Sequence, residues 1–410
     1  MIDIYETVKN CRICGSGEIV EILDLGDQPP ANSLYKSGNE LPPNVPLRLM
    51  FCSDCSTVQL GEDVDPEYLF NQYLWVTSTS KTAIEYSYKF SKKALSQLDS
   101  QIDSPFVVEI ASNDGTFLKR FIENNSKVLG VDPAKNIAEI ANMNGIPTIA
   151  NFFTDELARQ IVIDEGEADI IIARNVIPHV KEIHSVIKGM RSILKENGSG
   201  IIEFHNAGMI LDELHYDYIY HEHLFYFTLK TIERLINKHD MYVYDIMHSP
   251  ISGGSWVVYF SKNERSKSQA LLDVEKLEVQ NNLNDCQRWI TFSKEVIEHS
   301  EKLKSLVFNN IEKIPAYGAS ARSSTLLNFC KINSEHISIV LDKNPLKDGL
   351  ITAGSNIPIH SVSDGFRKIK DQKQILLLAW NFQDEIVKEL RELDFQGEFI
   401  IPLQGNPFVL

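Results

Sequence analysis

The sequence predicts an α/β protein in which a small metal-stapled N-terminal domain precedes two strand–helix lobes. Three observations carry that reading. Two C-x2-C pairs lie within the first 55 residues, strand-like and helix-like segments alternate from Phe106 to Phe204, and the alternation resumes from Ala316 to Ile401 after a turn-poor stretch. A chain of 410 residues with 43% hydrophobic and 23% charged content can bury ample core and is too long for one ordinary domain.

The first domain is placed at residues 1–70. It mixes its cysteines with Pro29-Pro30 and Pro42-Pro43, and its apolar runs are too short for an independent core, so a metal staple is expected to supply the missing stability. Cys11 and Cys14, in C-R-I-C-G, place two thiolates on one tight turn; Cys52 and Cys55, in F-C-S-D-C, repeat the arrangement 38 residues after Cys14. The four make a tetrahedral zinc set with every position filled by protein. Its expected role is structural, because catalytic zinc needs an open position. Cys286 and Cys330 stand alone, so the cysteines speak for metal rather than a secreted disulfide framework.

Residues 71–263 form the second domain. Phe106 to Ile110, Val128 to Val131, Thr148 to Ala150, Ile170 to Ala173 and Ile201 to Phe204 read as strands, with Phe117 to Asn124, Ile137 to Asn144 and Ile183 to Lys195 as helices. Repeated strand–helix units predict a mostly parallel, doubly wound sheet. Residues 264–312 have few turn signals and apolar positions such as Leu271, Val279, Trp289 and Val296, which predict a helical connector. The last lobe, 313–410, offers Ala316 to Gly318, Ile337 to Leu341, Ile375 to Ala379 and Phe399 to Ile401 as strands and Ser320 to Cys330 as a helix.

The second domain opens with the run Val107-Val108-Glu109-Ile110-Ala111-Ser112-Asn113-Asp114-Gly115, which puts an acidic residue at a strand end and a glycine at the turn into a helix. Small residues there let backbone amides approach a ligand. The next strand ends in Asp132, a carboxylate suited to ribose hydroxyls. A dinucleotide fold shares that feature, but G-x-G-x-x-G is missing and S-adenosylmethionine (SAM) has no pyrophosphate to cradle, so the pattern favours SAM over NAD. Glu109, Ser112, Asn113, Asp114, Gly115 and Asp132 are the cofactor candidates. Asn151, Phe152 and Asn175, after the later strands, are candidates for its adenine and methionine ends.

The stretch Tyr216-Asp217-Tyr218-Ile219-Tyr220-His221-Glu222-His223 follows the last strand of that domain and concentrates imidazole, carboxylate and phenol groups. On a helix Tyr220 and His223 share a face; on a strand His221 and His223 do. Neither alternative matches H-E-x-x-H, which speaks against catalytic zinc. A histidine near its ordinary pKa can remove a weakly acidic proton at neutral pH, and a phenol or second histidine can hold a developing enolate oxygen. Those are the tools for alkylating carbon beside a carbonyl.

A formal charge of −16 gives no broad basic field for nucleic acid. The longest apolar run, Ile375 to Trp380, is far below the ~18 residues a membrane span needs. With no signal-like opening, a cytoplasmic enzyme with neither nucleic-acid nor membrane partner is expected.

The cysteine pairs, S-N-D-G at 112–115, N-V-I-P-H-V at 175–180, Y-H-E-H-L at 220–224, Gly253-Gly254-Ser255, Ala316-Tyr317-Gly318-Ala319 and Thr325-Leu326-Leu327-Asn328 stand in one order along nearly the whole chain. This resembles the sugar C-methyltransferases that act on nucleotide-linked 4-keto deoxysugars. The resemblance implies a zinc-binding N-terminal domain, a Rossmann-like SAM domain and a second, Rossmann-like C-terminal lobe that helps hold the nucleotide sugar. It implies His223 as the base, with Tyr220 and Glu222 assisting and His179 as a second histidine near the reacting carbon. It also suggests that Tyr73, Ser78 and Tyr317 contact substrate; Arg322, planar and always charged, is a candidate to pair with a diphosphate. Arg322-Ser323-Ser324, Ser252 to Val257 and Ala353 to Asn356 depart from the family's usual residues. The competing expectation is a SAM-dependent O- or N-methyltransferase acting on a nucleotide sugar or related small molecule.

Overall fold

A computed structural model describes residues 4–70, 76–251, 254–403 and 405–410. The N-terminal domain is built on the antiparallel strands Ile19–Gln28, Val45–Cys52 and Val58–Leu60. In Val45–Cys52, Val45, Leu47, Leu49 and Phe51 alternate inward, the period of a half-buried strand. This domain does not close its core on itself. Its apolar face is continuous with the core of the rest of the chain, and a fourth strand, Phe225–Tyr226, is lent to its sheet by the second domain.

The second domain contains a seven-stranded sheet. Its spatial order is Tyr242–Ser249, Ser255–Ser261, Leu194–His205, Ala168–Arg174, Phe106–Ile110, Lys127–Val131 and Thr148–Ile149. Ser255–Ser261 runs antiparallel to both neighbours, and the other pairings are parallel. Strand order reverses between Phe106–Ile110 and Ala168–Arg174, and in such open sheets the ligand crevice lies at the carboxyl ends of the strands at that reversal. The central strands carry continuous apolar runs, such as Ile170-Ile171-Ile172-Ala173, because helices cover both faces. The strand expected at 201–204 extends from 194 to 205, while the one at 148–150 shrinks to two residues at the sheet edge.

The connector is two helices, Gln269–Gln280 and Cys286–Phe308. In the longer one Trp289, Phe292, Val296, Leu303 and Val307 make one buried stripe at helical spacing. The C-terminal lobe is a six-stranded sheet ordered Ile359–Ser361, Ile337–Asp342, Ile314–Tyr317, Gln374–Leu377, Glu398–Ile401 and Phe408–Val409, with only the last strand antiparallel. Among the described residues no helix is long and apolar enough to cross a membrane.

Zinc cluster, cofactor cradle and candidate active site

Each cysteine pair sits on a tight turn. Gly15 N–H donates to Cys11 O and Ser56 N–H to Cys52 O, both at 2.8 Å, with Gly15 and Ser56 in the left-handed backbone region at φ 83° and 63°. Cys11 and Cys55 sulfurs lie 3.5 Å apart, Cys14 and Cys52 sulfurs 3.6 Å, and all four fall within 4.8 Å of one another. A tetrahedral zinc with ~2.3 Å Zn–S bonds requires sulfur separations of about 3.8 Å, close to those of this donor set. The first turn is tied to the second domain: the Ile13 carbonyl accepts from Lys238 Nζ (2.7 Å) and His184 Nε2 (3.0 Å).

The cofactor loop follows strand Phe106–Ile110 at the point where strand order reverses. Ala111, Asn113 and Gly115 all take left-handed backbone, at φ 52°, 51° and 78°, so the chain adopts alternating glycine-like conformations with only one glycine. Asn113 and Asp114 side chains accept from the Thr77 and Ser78 amides (2.8 and 3.0 Å), which folds the short helix Thr77–Thr79 over the loop. Asp132 closes the other side, accepting from Asn113 N–H and Ala134 N–H, each at 2.9 Å. Gly130 keeps the cradle open, because a Cβ there would stand 2.3 Å from Ser112 Oγ. That Oγ is itself buried with no hydrogen-bond partner, a polar atom suited to a ligand.

Glu109 is fully buried. Its Oε1 accepts from Arg174 Nε (2.8 Å), and Arg174 also lies 3.8 Å from Glu203 and over the Phe117 ring. Burial raises the pKa of both carboxyls while the shared guanidinium lowers it. Asn175 is left-handed at the end of its strand, its amide bound to Glu203 O (2.7 Å). Asn151 and Phe152 are exposed beyond the edge strand.

The residues 220–223 form neither of the predicted elements. They make a turn, closed by His223 N–H donating to Tyr220 O (2.9 Å), after the short helix Tyr216–Tyr218. The turn brings Tyr220 OH to 2.7 Å from His223 Nε2. On the other side of the ring, His223 Nδ1 lies 2.9 Å from the Tyr218 carbonyl. A carbonyl only accepts, so Nδ1 carries the proton and Nε2 the lone pair. His179 meets this ring edge-to-face, with centroids 4.6 Å apart. Burial lowers the His179 pKa to about 4 and that of His223 well below the ordinary value, so both rings are neutral near pH 7.

Its neighbours in the sequence turn elsewhere. His221 Nε2 reaches the Val45 and Pro46 carbonyls of the N-terminal domain (3.2 and 3.3 Å). Glu222, buried and pushed up to about 7, accepts from Asn32 Nδ2 of that domain (2.5 Å). Strand Phe225–Tyr226 then joins the zinc-bearing sheet, so the turn is held from outside its own domain.

The C-terminal lobe reaches the same place. Arg322 Nε and Nη2 form a two-point pair with Asp217 (2.9 and 3.1 Å), and Trp380 Nε1 donates to the same carboxylate (2.9 Å). The guanidinium lies over the Tyr218 and Trp380 rings. Tyr317 OH instead donates to Glu389 within its own lobe (2.9 Å), apart from this cluster. Tyr73 lies outside the described residues. Sequence reasoning missed Asn32, Arg174, His205 and Trp380, which reach the site only through the fold; Asp217 and Tyr218 lay in the stretch it singled out but were given no role.

Three families match the chain in succession: a zinc binding domain over residues 11–70, a methyltransferase domain over 84–246 and a C-methyltransferase C-terminal domain over 250–404. The C-methyltransferase NovU of Streptomyces niveus is 29% identical over 411 residues, covering 98% of this chain and 97% of NovU. Among solved structures, a SAM-dependent methyltransferase from Anabaena variabilis aligns at 17% identity and TM-score 0.36, over 44% of this chain and 85% of its own. One from Clostridium acetobutylicum aligns at 12% identity and TM-score 0.36, over 48% and 96%. Three family matches thus run in order along the chain, and together with a relative that matches it almost end to end they support a SAM-dependent C-methyltransferase with an N-terminal zinc-binding domain.

Proposed function

We propose that the chain methylates a carbon beside the carbonyl of a nucleotide-linked keto sugar, with His223 as the base. The observation that supports this best is the Tyr220–His223 pair, in which the Tyr218 carbonyl fixes the tautomer and leaves the Nε2 lone pair pointing at a phenol. His223 Nε2 takes the proton from the carbon alpha to the ketone, and the electron pair moves toward the carbonyl oxygen. Displaced from Nε2 by the substrate, the Tyr220 hydroxyl donates to that oxygen as charge develops, with His179 beside it. Bound SAM supplies the electrophilic methyl that the carbon attacks.

The depressed pKa of His223 keeps it unprotonated through the neutral range, at the cost of a weaker base. Glu222, its pKa pushed up to about 7 by burial, assists by tying the catalytic turn to Asn32 of the N-terminal domain. On this reading Ser112 and the amides of the 111–115 loop hold the methionine end of SAM, with Glu109 and Asn175 beside it. Asp132 takes the ribose, and Asn151 and Phe152 the adenine. Arg322 anchors the diphosphate through Nη1, its other two nitrogens being engaged by Asp217. Ser78 and Tyr73 complete the substrate side, while Tyr317, engaged by Glu389 in its own lobe, is not part of it.

His223→Ala is expected to abolish methyl transfer while SAM affinity, read by calorimetry, stays within about twofold. Near-normal turnover in that variant would remove His223 as the base.

A further inference from the structure

We infer that His205 is a substrate-binding residue that holds a hydroxyl group of the substrate away from the reacting carbon. This inference rests on the keto-sugar reading above. His205 ends strand Leu194–His205, on the edge of the crevice, and pairs across the sheet with Ser255. Its ring stacks on Tyr218 at 3.9 Å and 13°, and Tyr218 stacks on His223 at 5.1 Å and 26°, so one aromatic layer separates it from the proposed base. That spacing suits the far side of a sugar ring rather than the enolate oxygen.

Both ring nitrogens of His205 are buried, and neither makes a hydrogen bond among the described residues; the Gly254 carbonyl lies near without the geometry to accept one. The residue is only 8% exposed. A phenylalanine would stack on Tyr218 equally well, without a buried donor and acceptor left unpaired, a penalty that native folds rarely carry. The chemistry of the ligand follows from the protonation state. Burial, with His215, Arg322 and His223 around it, keeps the imidazole neutral. A neutral imidazole offers one donor and one acceptor. A hydroxyl can serve either nitrogen, donating to the bare one or accepting from the protonated one, whereas a ketone or phosphate oxygen only accepts.

The test compares wild type with His205→Phe, which keeps the stack, and His205→Gln, which keeps a donor and an acceptor. For the keto sugar that wild type turns over, His205→Phe is expected to raise KM about tenfold or more, with KM for SAM unchanged and kcat within about threefold. His205→Gln should recover part of the loss. A deoxy analogue lacking the contacted hydroxyl should bind the two proteins alike. Unchanged KM for the sugar in His205→Phe overturns the inference. The melting temperature of the ligand-free proteins decides independently of any substrate: equal or higher in His205→Phe supports a ligand-facing role, and a fall of several degrees assigns His205 to the core and overturns it. If wild type turns over no keto sugar, the proposed function fails, and the melting comparison still judges His205.

Discussion

His221 sits between the two residues that matter most to the proposed chemistry, yet its ring is spent on the N-terminal domain. The substitution His221→Gln keeps a donor for the Val45 and Pro46 carbonyls and removes the titration. In the folded protein burial lowers the His221 pKa from 6.5 to about 4. The sign follows from linkage: the unfolded chain binds a proton at this site below pH 6.5 while the folded chain does not, so wild type keeps the full contribution above that pH and loses it as pH falls toward 4. Each pH unit within that window costs up to about 1.4 kcal/mol, so wild type should lose about 2.4 kcal/mol relative to the variant between pH 7 and 4.5. All other titrating groups are common to both proteins and cancel in the difference. Urea titrations across that range read it directly. The two proteins should be within about 1 kcal/mol at pH 7.5, with the variant clearly more stable at pH 4.5. A stability difference that stays flat with pH would refute the burial argument, and a large loss of turnover at pH 7.5 would refute the assignment of His221 as a tether.

Other predictions follow from the same geometry. Tyr220→Phe removes the hydroxyl at 2.7 Å from His223 and should lower kcat about 100-fold with KM for SAM unchanged; a kcat within twofold of wild type would discard the phenol. Gly130→Ala puts a Cβ 2.3 Å from Ser112 Oγ and 2.8 Å from Thr148 Oγ1, so SAM affinity should weaken about tenfold by calorimetry, and unchanged affinity would show the cradle is not where the loop places it. Cys52→Ser should lose the zinc, and because Phe225–Tyr226 pairs with Val58–Gln59, amide exchange at residues 224–226 should quicken as zinc content falls; exchange unchanged in zinc-free protein would uncouple the cluster from the catalytic turn.

Much of the fold was legible because its signals are local. The cysteine spacing pointed to the four-sulfur cluster, and the alternation of apolar strands with helices gave the parallel core of both α/β sheets but not strands Tyr242–Ser249, Ser255–Ser261, Ile359–Ser361 and Phe408–Val409. The cofactor loop was legible from Glu109, Gly115 and Asp132, but not the way it folds. Ala111 and Asn113 hold left-handed backbone that the usual glycine fingerprint would mark with glycines, and Asn113 is held there by hydrogen bonds to Asp132 and Thr77. Residues 220–223 defeated a choice between helix and strand because a turn has no period to read. Asn32 on Glu222, Arg322 and Trp380 on Asp217, and His205 against Tyr218 were invisible for another reason. The first three join segments more than 100 residues apart, and the last depends on the bend between a strand end and a short helix, so nothing in local spacing encodes these meetings.

The central claim is that the protein forms a carbon–carbon bond after removing a proton beside a ketone. Mass spectrometry of reactions with SAM and a panel of nucleotide-linked keto sugars, run in deuterated water, tests it most directly. The account predicts a product heavier by one methyl, with fragments placing that methyl on the carbon beside the carbonyl, and solvent deuterium exchange at that carbon with wild type but not with His223→Ala. A methyl found on oxygen or nitrogen, or wild-type methylation of carbon accompanied by full exchange in His223→Ala, would contradict it.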